Sequence, residues 1–382
     1  MSFSFNQKFT ADYEYPVIFT HDVFNPKNKT FRNILEQAGK HQHRVMVIID
    51  SGVIEKHPTL SSQIDSYFSQ NKDIMLKSGD CFSIPGGEIA KQDFKYINQI
   101  YQLIAENKIC RHSFVVVIGG GAVIDAVGYA VATAHRGVRL IRFPSTVLSQ
   151  NDAGLGVKNA INLDNRKNFI GTFSPPWAVI SDYNFLNSLN SSDKRAGMAE
   201  AIKIALVKDK VFFDFLYKQR HALANFEDQP LQTLIEQCAK LHLEHIAKGG
   251  DPFEQGSARP LDFGHWIAHK LEEISHNEIK HGEAVAMGIA IDSHYSYQLG
   301  WLSREELNQI LELLTTLGFE ATTSLLNKVN LETALDEFRQ HLGGFLTITL
   351  LKEIGVGQEV ESIDIEMMAN SIHSINTTNT LN

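Results

Sequence analysis

Phe114-Val115-Val116-Val117-Ile118-Gly119-Gly120-Gly121 is the stretch that decides the fold of the first half of the chain. Its continuous apolar run is typical of a strand buried on both faces of a parallel sheet. Three glycines follow, and Ala126–Ala134 then has a helical pattern. Glycines allow a phosphate group to approach the backbone closely, and a helix N-terminus offers amide donors. The stretch predicts a phosphate-binding turn, although it lacks the G-x-G-x-x-G spacing and an ordinary tight turn is the alternative.

Further runs rich in β-branched residues surround this strand. They alternate with helical patterns, which indicates βα units on a largely parallel sheet. The other predicted strands are Val45–Asp50, Ile74–Phe82, Val138–Phe143 and Ala178–Ser181. Asp50 ends the first of them, where its carboxylate is placed either to accept hydrogen bonds from a ribose or to cap the next turn.

The second half of the chain is predicted to be mostly helical. Strand signals fade beyond Leu186, while Pro230–Lys248 and Glu305–Leu317 carry Leu, Ala, Glu, Lys and Gln at helical spacing. The fold class is therefore α/β plus all-α, with an N-terminal α/β domain over residues 1–185 and a helical domain over residues 186–382. The polar stretch after Asn370 is expected to fray.

Composition excludes several classes of protein. The chain has 382 residues and a formal net charge of −9, without any block of five basic residues, so nucleic-acid and anionic-membrane surfaces are disfavoured as partners. Cys81, Cys110 and Cys238 form no C-x-x-C pair, which argues against disulfides and a thiolate zinc site. The N-terminus does not resemble a signal peptide, and no stretch approaches about 18 apolar residues, so we expect a cytoplasmic protein.

Two groups of polar residues follow the predicted strands and helices. Small hydroxyl, amide and lysine side chains surround glycines between Pro144 and Asn168, a composition that suits an anion and polyol pocket or a merely solvated loop. His265 and His269 are four residues apart, which puts both imidazoles on one helix face about 6 Å apart. With His281 and Glu200 they predict a divalent metal site, the alternative being a chance pairing among 16 histidines. His242, His245 and His276 are interpreted as surface residues.

In this order the motifs resemble the 3-dehydroquinate synthase superfamily, the NAD-dependent sugar phosphate cyclases. The match runs from about Val45 to Gly288. It comprises Gly119 to Asp125, Arg136-Gly137, Pro144 to Thr146, Asp152 with Lys158, Lys167-Asn168, Gly197 with Glu200 and Lys203, His265 with His269, and His281 to Glu283. The resemblance implies a Rossmann-like NAD-binding domain, a helical metal domain and an active site in the cleft between them.

The resemblance also implies a role for each matching residue. Zinc or cobalt would be held by Glu200, His265 and His281. NAD would contact Asp50, Glu88, Lys91, Gly120, Gly121, Asp125, Ser145, Thr146 and Lys167. Asp152 and Lys203 would hold substrate hydroxyls, while Lys158, Asn168 and His269 would orient the phosphate and shuttle a proton. Asp262 and Arg259 would contact substrate, and Arg136 would reach a neighbour's phosphate site in a homodimer. Arg339 or His341 would supply a C-terminal phosphate contact.

Departures from the family pattern bear on the sugar phosphate substrate. Synthases that make dehydroquinate recognise a carboxylate with a lysine and an arginine, which align here with Glu244 and Ala258. An acid and a methyl group in those places would leave a carboxylate unpaired, although Arg259 lies one position along. Asp262 in place of the family asparagine resembles cyclases that accept sedoheptulose 7-phosphate, whereas His269 is retained, unlike in the usual valiolone synthases.

Four functions are weighed on these residues. The first is a sedoheptulose 7-phosphate cyclase of secondary metabolism, which forms a valiolone-type cyclitol by transient oxidation, β-elimination of phosphate, reduction and intramolecular aldol addition. The alternatives are 3-dehydroquinate synthase, a metal-dependent polyol dehydrogenase and a non-catalytic NAD-binding protein. A dehydrogenase would accumulate NADH, whereas a cyclase shows no net redox change.

Overall fold

The computed structural model describes residues 2–92, 94–164, 166–249, 253, 260–276, 278–342 and 344–378. Its strands are β1 (Val17–Thr20), β2 (His43–Asp50), β3 (Met75–Lys77), β4 (Phe82–Ile84), β5 (Phe114–Gly119), β6 (Arg139–Pro144), β7 (Lys158–Leu163), β8 (Arg166–Phe173), β9 (Ala178–Asp182), β10 (Ile348–Glu353) and β11 (Val356–Val360). Its α-helices are α1 (Thr30–Glu36), α2 (Ser51–Lys56), α3 (Leu60–Gln70), α4 (Lys95–Glu106), α5 (Gly121–Thr133), α6 (Ser191–Lys208), α7 (Lys210–Lys218), α8 (Arg220–Ala224), α9 (Asp228–Lys248), α10 (His265–Ile274), α11 (His281–Gln298), α12 (Arg304–Thr316), α13 (Leu331–His341) and α14 (Ile365–Thr378).

The N-terminal half is built on a parallel sheet with the order β1-β9-β6-β5-β2-β3, in which β4 also pairs with β2. Strand β5 is buried along its whole length. Phe114, Val116 and Ile118 pack on one face with α1 and α3, while Val115 and Val117 pack on the other with α4 and α5. Because side chains alternate along a strand, the unbroken apolar run contributes residues to the hydrophobic cores on both faces of the sheet.

The C-terminal half is helical around α6 and α11. Both helices are buried over most of their length, from Gly197 to Val207 and from Ala284 to Ser296, and one apolar core joins them to α7, α9, α10, α12 and α14. The expected class, a Rossmann-like domain followed by a helical domain, is thus confirmed. The predicted boundary after residue 185 falls in the short 3₁₀ turn Tyr183–Ser188 between β9 and α6.

Several elements differ from the sequence-based expectation. The predicted strand Ile74–Phe82 is two short strands, β3 and β4, and the antiparallel hairpins β7–β8 and β10–β11 were not predicted. The expected fraying after Asn370 is wrong, because α14 runs to Thr378. Met368, Ile372 and Ile375 recur at helical spacing and are buried in the helical core, a signal that the polar residues between them obscured. Within the described ranges, no helix has the length and apolarity to cross a bilayer.

Candidate functional site

A cleft of about 2110 Å³ lies between the glycine turn after β5 and the helices of the second half. Residues from both halves of the chain line it. The N-terminal half contributes Asp50, Gly120, Gly121, Asp125, Ser145 and Thr146, and the C-terminal half contributes His269, Glu272 and His281. The fold therefore brings the predicted phosphate-binding turn and His281 of the predicted metal site to one cavity.

Glu200, His265 and His281 form a cluster in which one ligand atom from each lies within 4.8 Å of the others. Glu200 Oε1 is 3.3 Å from His281 Nε2 and 3.6 Å from His265 Nε2. Both carboxylate oxygens are buried without a hydrogen bond of ordinary geometry, although the Lys203 ammonium contacts Oε2 as an ion pair. An orphaned buried carboxylate between two imidazoles fits a divalent cation such as zinc, which takes two nitrogens and one oxygen and leaves a position open.

The charges of this cluster are strongly coupled. Burial alone would raise the pKa of Glu200, but the Lys203 ammonium and the two imidazoles hold it well below its usual value. Burial and the Lys203 charge lower the pKa of His265 well below the ordinary value. Burial also opposes the charged form of His281, yet its close contacts with the carboxylates of Glu200 and Glu272 raise its pKa to about 10. The Glu200 carboxylate is thus ionised and can bind a cation, which is either the Lys203 ammonium or a metal ion.

A close helix crossing sets the position of His265. Gly264 precedes α10 with φ +77°, and a Cβ on Gly288 of α11 would lie 2.7 Å from the Gly264 carbonyl carbon, too close for any side chain. The buried carboxylate of Asp292 accepts a hydrogen bond from Gly264 N at 3.0 Å and another from Trp266 Nε1 at 2.9 Å. The first turn of α10, and the histidine in it, is therefore fixed on both sides.

Asp152, on the turn Ser149–Ala153, faces the same cleft. Its Oδ1 lies 3.0 Å from His242 Nδ1, and its charge helps to hold the pKa of the buried Lys203 above the usual value, against burial. The interpretation of His242 as a surface residue is wrong, since its side chain is 14% exposed against this carboxylate. His242 lies four residues after the buried Cys238 on α9, a helical spacing that indicated the inward face.

On the N-terminal side, Lys91 organises the polar groups of the cleft. Its ammonium lies 2.9 Å from Asp125 Oδ2 and also contacts Asn168 Oδ1. Glu88 Oε2 accepts a hydrogen bond of 2.9 Å from Asn162. Asp50 caps α2 by accepting from Gly52 N at 2.8 Å, so the capping role weighed for it is present while the residue still lines the cleft.

The hairpin β7–β8 carries Lys158, Lys167 and Asn168. Lys167 Nζ lies 3.5 Å from Glu272 Oε1 on α10, so this contact joins the hairpin to the helical half. Asn168 also lines the cleft, whereas the exposed Lys158 is outside the set of residues that line it. Sequence reasoning missed Glu272, although it follows His265 and His269 at helical spacing on one face of α10.

Known proteins match most of the chain. A family model described as 3-dehydroquinate synthase N-terminal matches residues 81–196, and one described as 3-dehydroquinate synthase C-terminal matches residues 197–341. The 3-dehydroquinate synthase of Haemophilus ducreyi is 33% identical over 313 residues, which cover 80% of this chain and 84% of that one. The chain belongs to the 3-dehydroquinate synthase family. The synthase of Nitrosococcus oceani is 32% identical over 301 residues, 78% of this chain and 83% of the relative.

Solved structures share the fold of this 3-dehydroquinate synthase family member. A 2-epi-5-epi-valiolone synthase from Streptomyces hygroscopicus subsp. jinggangensis, with NAD⁺ and Zn²⁺ bound, superposes with a TM-score of 0.86 at 23% identity, covering 98% of this chain and 100% of that one. A 2-deoxy-scyllo-inosose synthase complexed with carbaglucose-6-phosphate, NAD⁺ and Co²⁺ gives 0.71 at 20% identity, with coverage of 95% and 98%. The resemblance to the 3-dehydroquinate synthase superfamily stated from the motifs is confirmed.

Other predicted site residues of this family member lie away from the cleft. Arg136 is exposed beyond the C-terminal end of α5 and lines a separate cavity of about 590 Å³, while the glycine turn is at the opposite end of that helix. Arg339 is exposed and pairs with Asp336. Glu244 does not line the cleft either: it is 42% exposed and lies 3.5 Å from Lys248, so the expectation that it would face a substrate carboxylate is wrong.

The remaining predictions concern the segment before α10. Asp262 ends the 3₁₀ turn Pro260–Asp262, and its charge contributes to the raised pKa of Lys203. Arg259 and Ala258 lie outside the described residues, as does the side chain of His341. The proposed arginine contact with substrate therefore stays a prediction.

Arg142 is a further residue that sequence reasoning missed. It is fully buried on β6 and donates to the carbonyls of Gly154 at 3.1 Å, Gly156 at 2.5 Å and Lys158 at 3.3 Å, and to Asn159 Oδ1 at 2.8 Å. Burial lowers the pKa of this guanidinium to about 10. Arg142 thus fixes the backbone between Asp152 and the hairpin. An arginine in a predicted buried strand was the available signal.

Proposed function

We propose that the protein is an NAD- and metal-dependent sugar phosphate cyclase that eliminates phosphate from sedoheptulose 7-phosphate and closes the ring to a valiolone-type cyclitol without net redox change. The observation that carries the proposal is the union of two features in one cleft. The glycine turn at the N-terminus of α5 suits a pyrophosphate, and the cluster of Glu200, His265 and His281 suits a divalent metal.

Glu200, His265 and His281 would hold zinc or cobalt, and the cleft residues from Asp50 to Thr146 would hold NAD. When bound, the metal supplies Lewis-acid polarisation of a vicinal diol, and NAD supplies a hydride acceptor that is regenerated in the reaction. Family members with NAD⁺ and Zn²⁺ or Co²⁺ bound, whose fold this chain shares, support this assignment.

The side chains of the chain itself supply binding, orientation and proton transfer. Lys203 is kept protonated by the carboxylates of Glu200 and Asp152, so it acts as a hydrogen-bond donor to a substrate hydroxyl. Asp152, turned toward the cleft with one oxygen at His242, is an acceptor for a second hydroxyl. His269 is exposed in the cleft, its ring centroid 5.5 Å from that of His265, and is placed to exchange a proton near the leaving phosphate.

The charges near the metal cluster favour a neutral substituent on the substrate over a carboxylate. Lys203 is already paired with Glu200, and Lys167 with Glu272. Neither lysine is therefore a free partner for a substrate carboxylate, whereas a hydroxymethyl group needs no cation beside it. This local charge balance replaces Glu244 as the support for sedoheptulose 7-phosphate.

Phosphate binding is assigned to residues of two chains. Asn168 on the hairpin, which lines the cleft, would orient the phosphate from within one protomer. Arg136 lies too far along α5 to reach the cleft of its own chain, so we propose that it serves the site of a partner in a homodimer. Its surroundings, which include Arg111 and His112, form a basic surface suited to an approaching phosphate.

The proposal is tested by phosphate release from zinc-loaded protein with NAD⁺. Sedoheptulose 7-phosphate and 3-deoxy-arabino-heptulosonate 7-phosphate are offered separately, with absorbance at the NADH band recorded in parallel. We expect release with the first substrate alone and no accumulation of NADH. Lys203→Met should abolish release, because it removes the ammonium beside Glu200. Stoichiometric NADH from a polyol would instead identify a dehydrogenase.

A second candidate is 3-dehydroquinate synthase itself. The relatives at 32–33% identity carry that name, which favours it. Phosphate release with 3-deoxy-arabino-heptulosonate 7-phosphate alone would establish this activity. It would also require a cation at the carboxylate, for which Arg259 is the candidate.

A further inference from the structure

Glu272 lies between the hairpin β7–β8 and the metal cluster. Its side chain is 12% exposed, on the cleft face of α10. Oε2 lies 3.5 Å from His281 Nδ1, and Oε1 lies 3.5 Å from Lys167 Nζ. The other ring nitrogen of His281, Nε2, faces Glu200 at 3.3 Å. The imidazole of His281 is therefore held between two carboxylates, one on each nitrogen.

The two nitrogens of a metal-binding histidine have opposite requirements. The ligating nitrogen must present a lone pair, so the proton of the neutral ring must sit on the other nitrogen. A carboxylate that accepts that proton in a hydrogen bond fixes both the tautomer and the ring orientation. His281 Nε2 points into the ligand cluster, and Glu272 lies at Nδ1 as such an acceptor.

We propose that Glu272 is a positioning residue that holds His281 in its metal-binding tautomer and, through Lys167, ties this ligand to the hairpin β7–β8. The inference rests on the proposed metal site. It goes beyond that site because it assigns a role to a side chain that is outside the ligand set, and because it connects the ligand to the other half of the protein.

The link through Lys167 extends toward the glycine turn. Lys167 precedes Asn168, which contacts the Lys91 ammonium, and Lys91 pairs with Asp125 on α5. A row of polar contacts thus runs from α5 across the hairpin to α10 and His281. Because Glu272 contacts both Lys167 and His281, a displacement of the hairpin shifts the carboxylate that orients the ligand.

The test measures Zn²⁺ affinity by competition with a chelating dye. Glu272→Gln should weaken binding about 10–100-fold, the usual effect of losing an outer carboxylate. The matched control is Glu273→Gln, the next residue on α10, whose side chain is 67% exposed and pairs with Lys270. The control should stay within about twofold of wild type, and the visible spectrum of the Co²⁺-loaded protein should change for Glu272→Gln alone.

A second variant separates the two contacts of Glu272. Lys167→Met leaves the bond to His281 in place, so Zn²⁺ affinity should be retained, while amide exchange in 158–163 and 166–173 should become faster. Wild-type affinity and an unchanged Co²⁺ spectrum in Glu272→Gln would overturn the inference, as would a tenfold loss of affinity in Lys167→Met. Equal thermal midpoints in EDTA establish that the variants fold. A wild-type protein that binds no Zn²⁺ would overturn the metal site, and with it both proposals.

Discussion

Substitution of one buried glycine should damage the proposed metal site from a distance. In Gly288→Ala the new Cβ would lie 2.7 Å from the Gly264 carbonyl carbon and closer still to its oxygen. Ordinary contact begins at 3.4 Å, so relieving the contact with the oxygen requires α10 and α11 to separate by about 1.4 Å at this point. The clashing atoms belong to the backbone and cannot rotate away, and His265 directly follows Gly264, so the ligand moves with it.

The magnitude follows from two opposing effects. Overpacking a core costs about 1–3 kcal/mol, and a backbone clash belongs at the upper end. Alanine is about 1 kcal/mol better than glycine inside a helix, which offsets part of the loss. The net cost is about 2 kcal/mol, equivalent to a fall of about 4–8 °C in the thermal midpoint of a unit of this size. Metal sites tolerate only about 0.2 Å in ligand distance, so we also expect at least tenfold weaker Zn²⁺ binding.

The assay is calorimetry with and without Zn²⁺. At 100 times the dissociation constant a ligand adds about 2.7 kcal/mol, and a tenfold loss of affinity removes about half of that increment. The control is Gly156→Ala, whose new Cβ would find its nearest neighbours at 3.8 and 4.0 Å, and which should leave both the midpoint and the Zn²⁺ increment intact. If Gly288→Ala raises the midpoint and keeps the full increment, the two helices do not meet as closely as described and the reasoning is refuted.

Three further outcomes are expected. Lys91→Met leaves the carboxylate of Asp125 without its partner, so NAD⁺ affinity measured by fluorescence titration should fall about tenfold or more, and an unchanged affinity would exclude Lys91 from the cofactor site. Arg142→Met strands buried acceptors at about 1–3 kcal/mol each, so calorimetry should show a loss of at least about 3 kcal/mol, and a loss below about 1 kcal/mol would contradict the described contacts. Burial raises the pKa of Asp292 to about 7, so the native state binds a proton that the unfolded state releases, and the metal-free protein should lose stability as pH rises from about 4 to 7 and then level off. The difference in midpoint between wild type and Asp292→Asn should vary over that range, and a constant difference would show that Asp292 does not titrate there.

The sequence predicted those elements whose pattern is complete within one short segment of the chain. The strand β5, the glycine turn and the helix α5 follow one another directly along the chain. The apolar run therefore predicted the strand, and the glycines predicted the turn, without knowledge of the rest of the fold. The imidazoles of His265 and His269 could be placed on one face of a helix from spacing alone. The order of the motifs then supplied Glu200 and His281, which no local pattern connects to α10.

The residues that were missed depend on contacts between distant segments. His242 on α9 contacts Asp152, which is 90 positions away in the sequence. Glu244 pairs with Lys248 on the exposed side of the same helix. A rotation of about half a turn separates the two interpretations of α9, and a sequence without its tertiary partners does not fix that rotation. Likewise β1 is a four-residue strand whose residues are all half-buried, and its pattern indicates a strand only once β9 lies beside it.

The pairing of β1 with β9 has a consequence for biosynthesis. Val17 lies beside Val179, so the first strand of the sheet has no partner until more than 160 further residues have been added. At about 5–20 residues per second the ribosome needs roughly 10–30 seconds to deliver that partner. During this interval β1 and the segment after it are open to chaperones, while β2, β5 and α5 already have neighbours to fold against. The sheet of the Rossmann-like domain is therefore completed last by β1, the strand that is synthesised first. A slowly translated stretch ahead of β9 would prolong the exposure of β1.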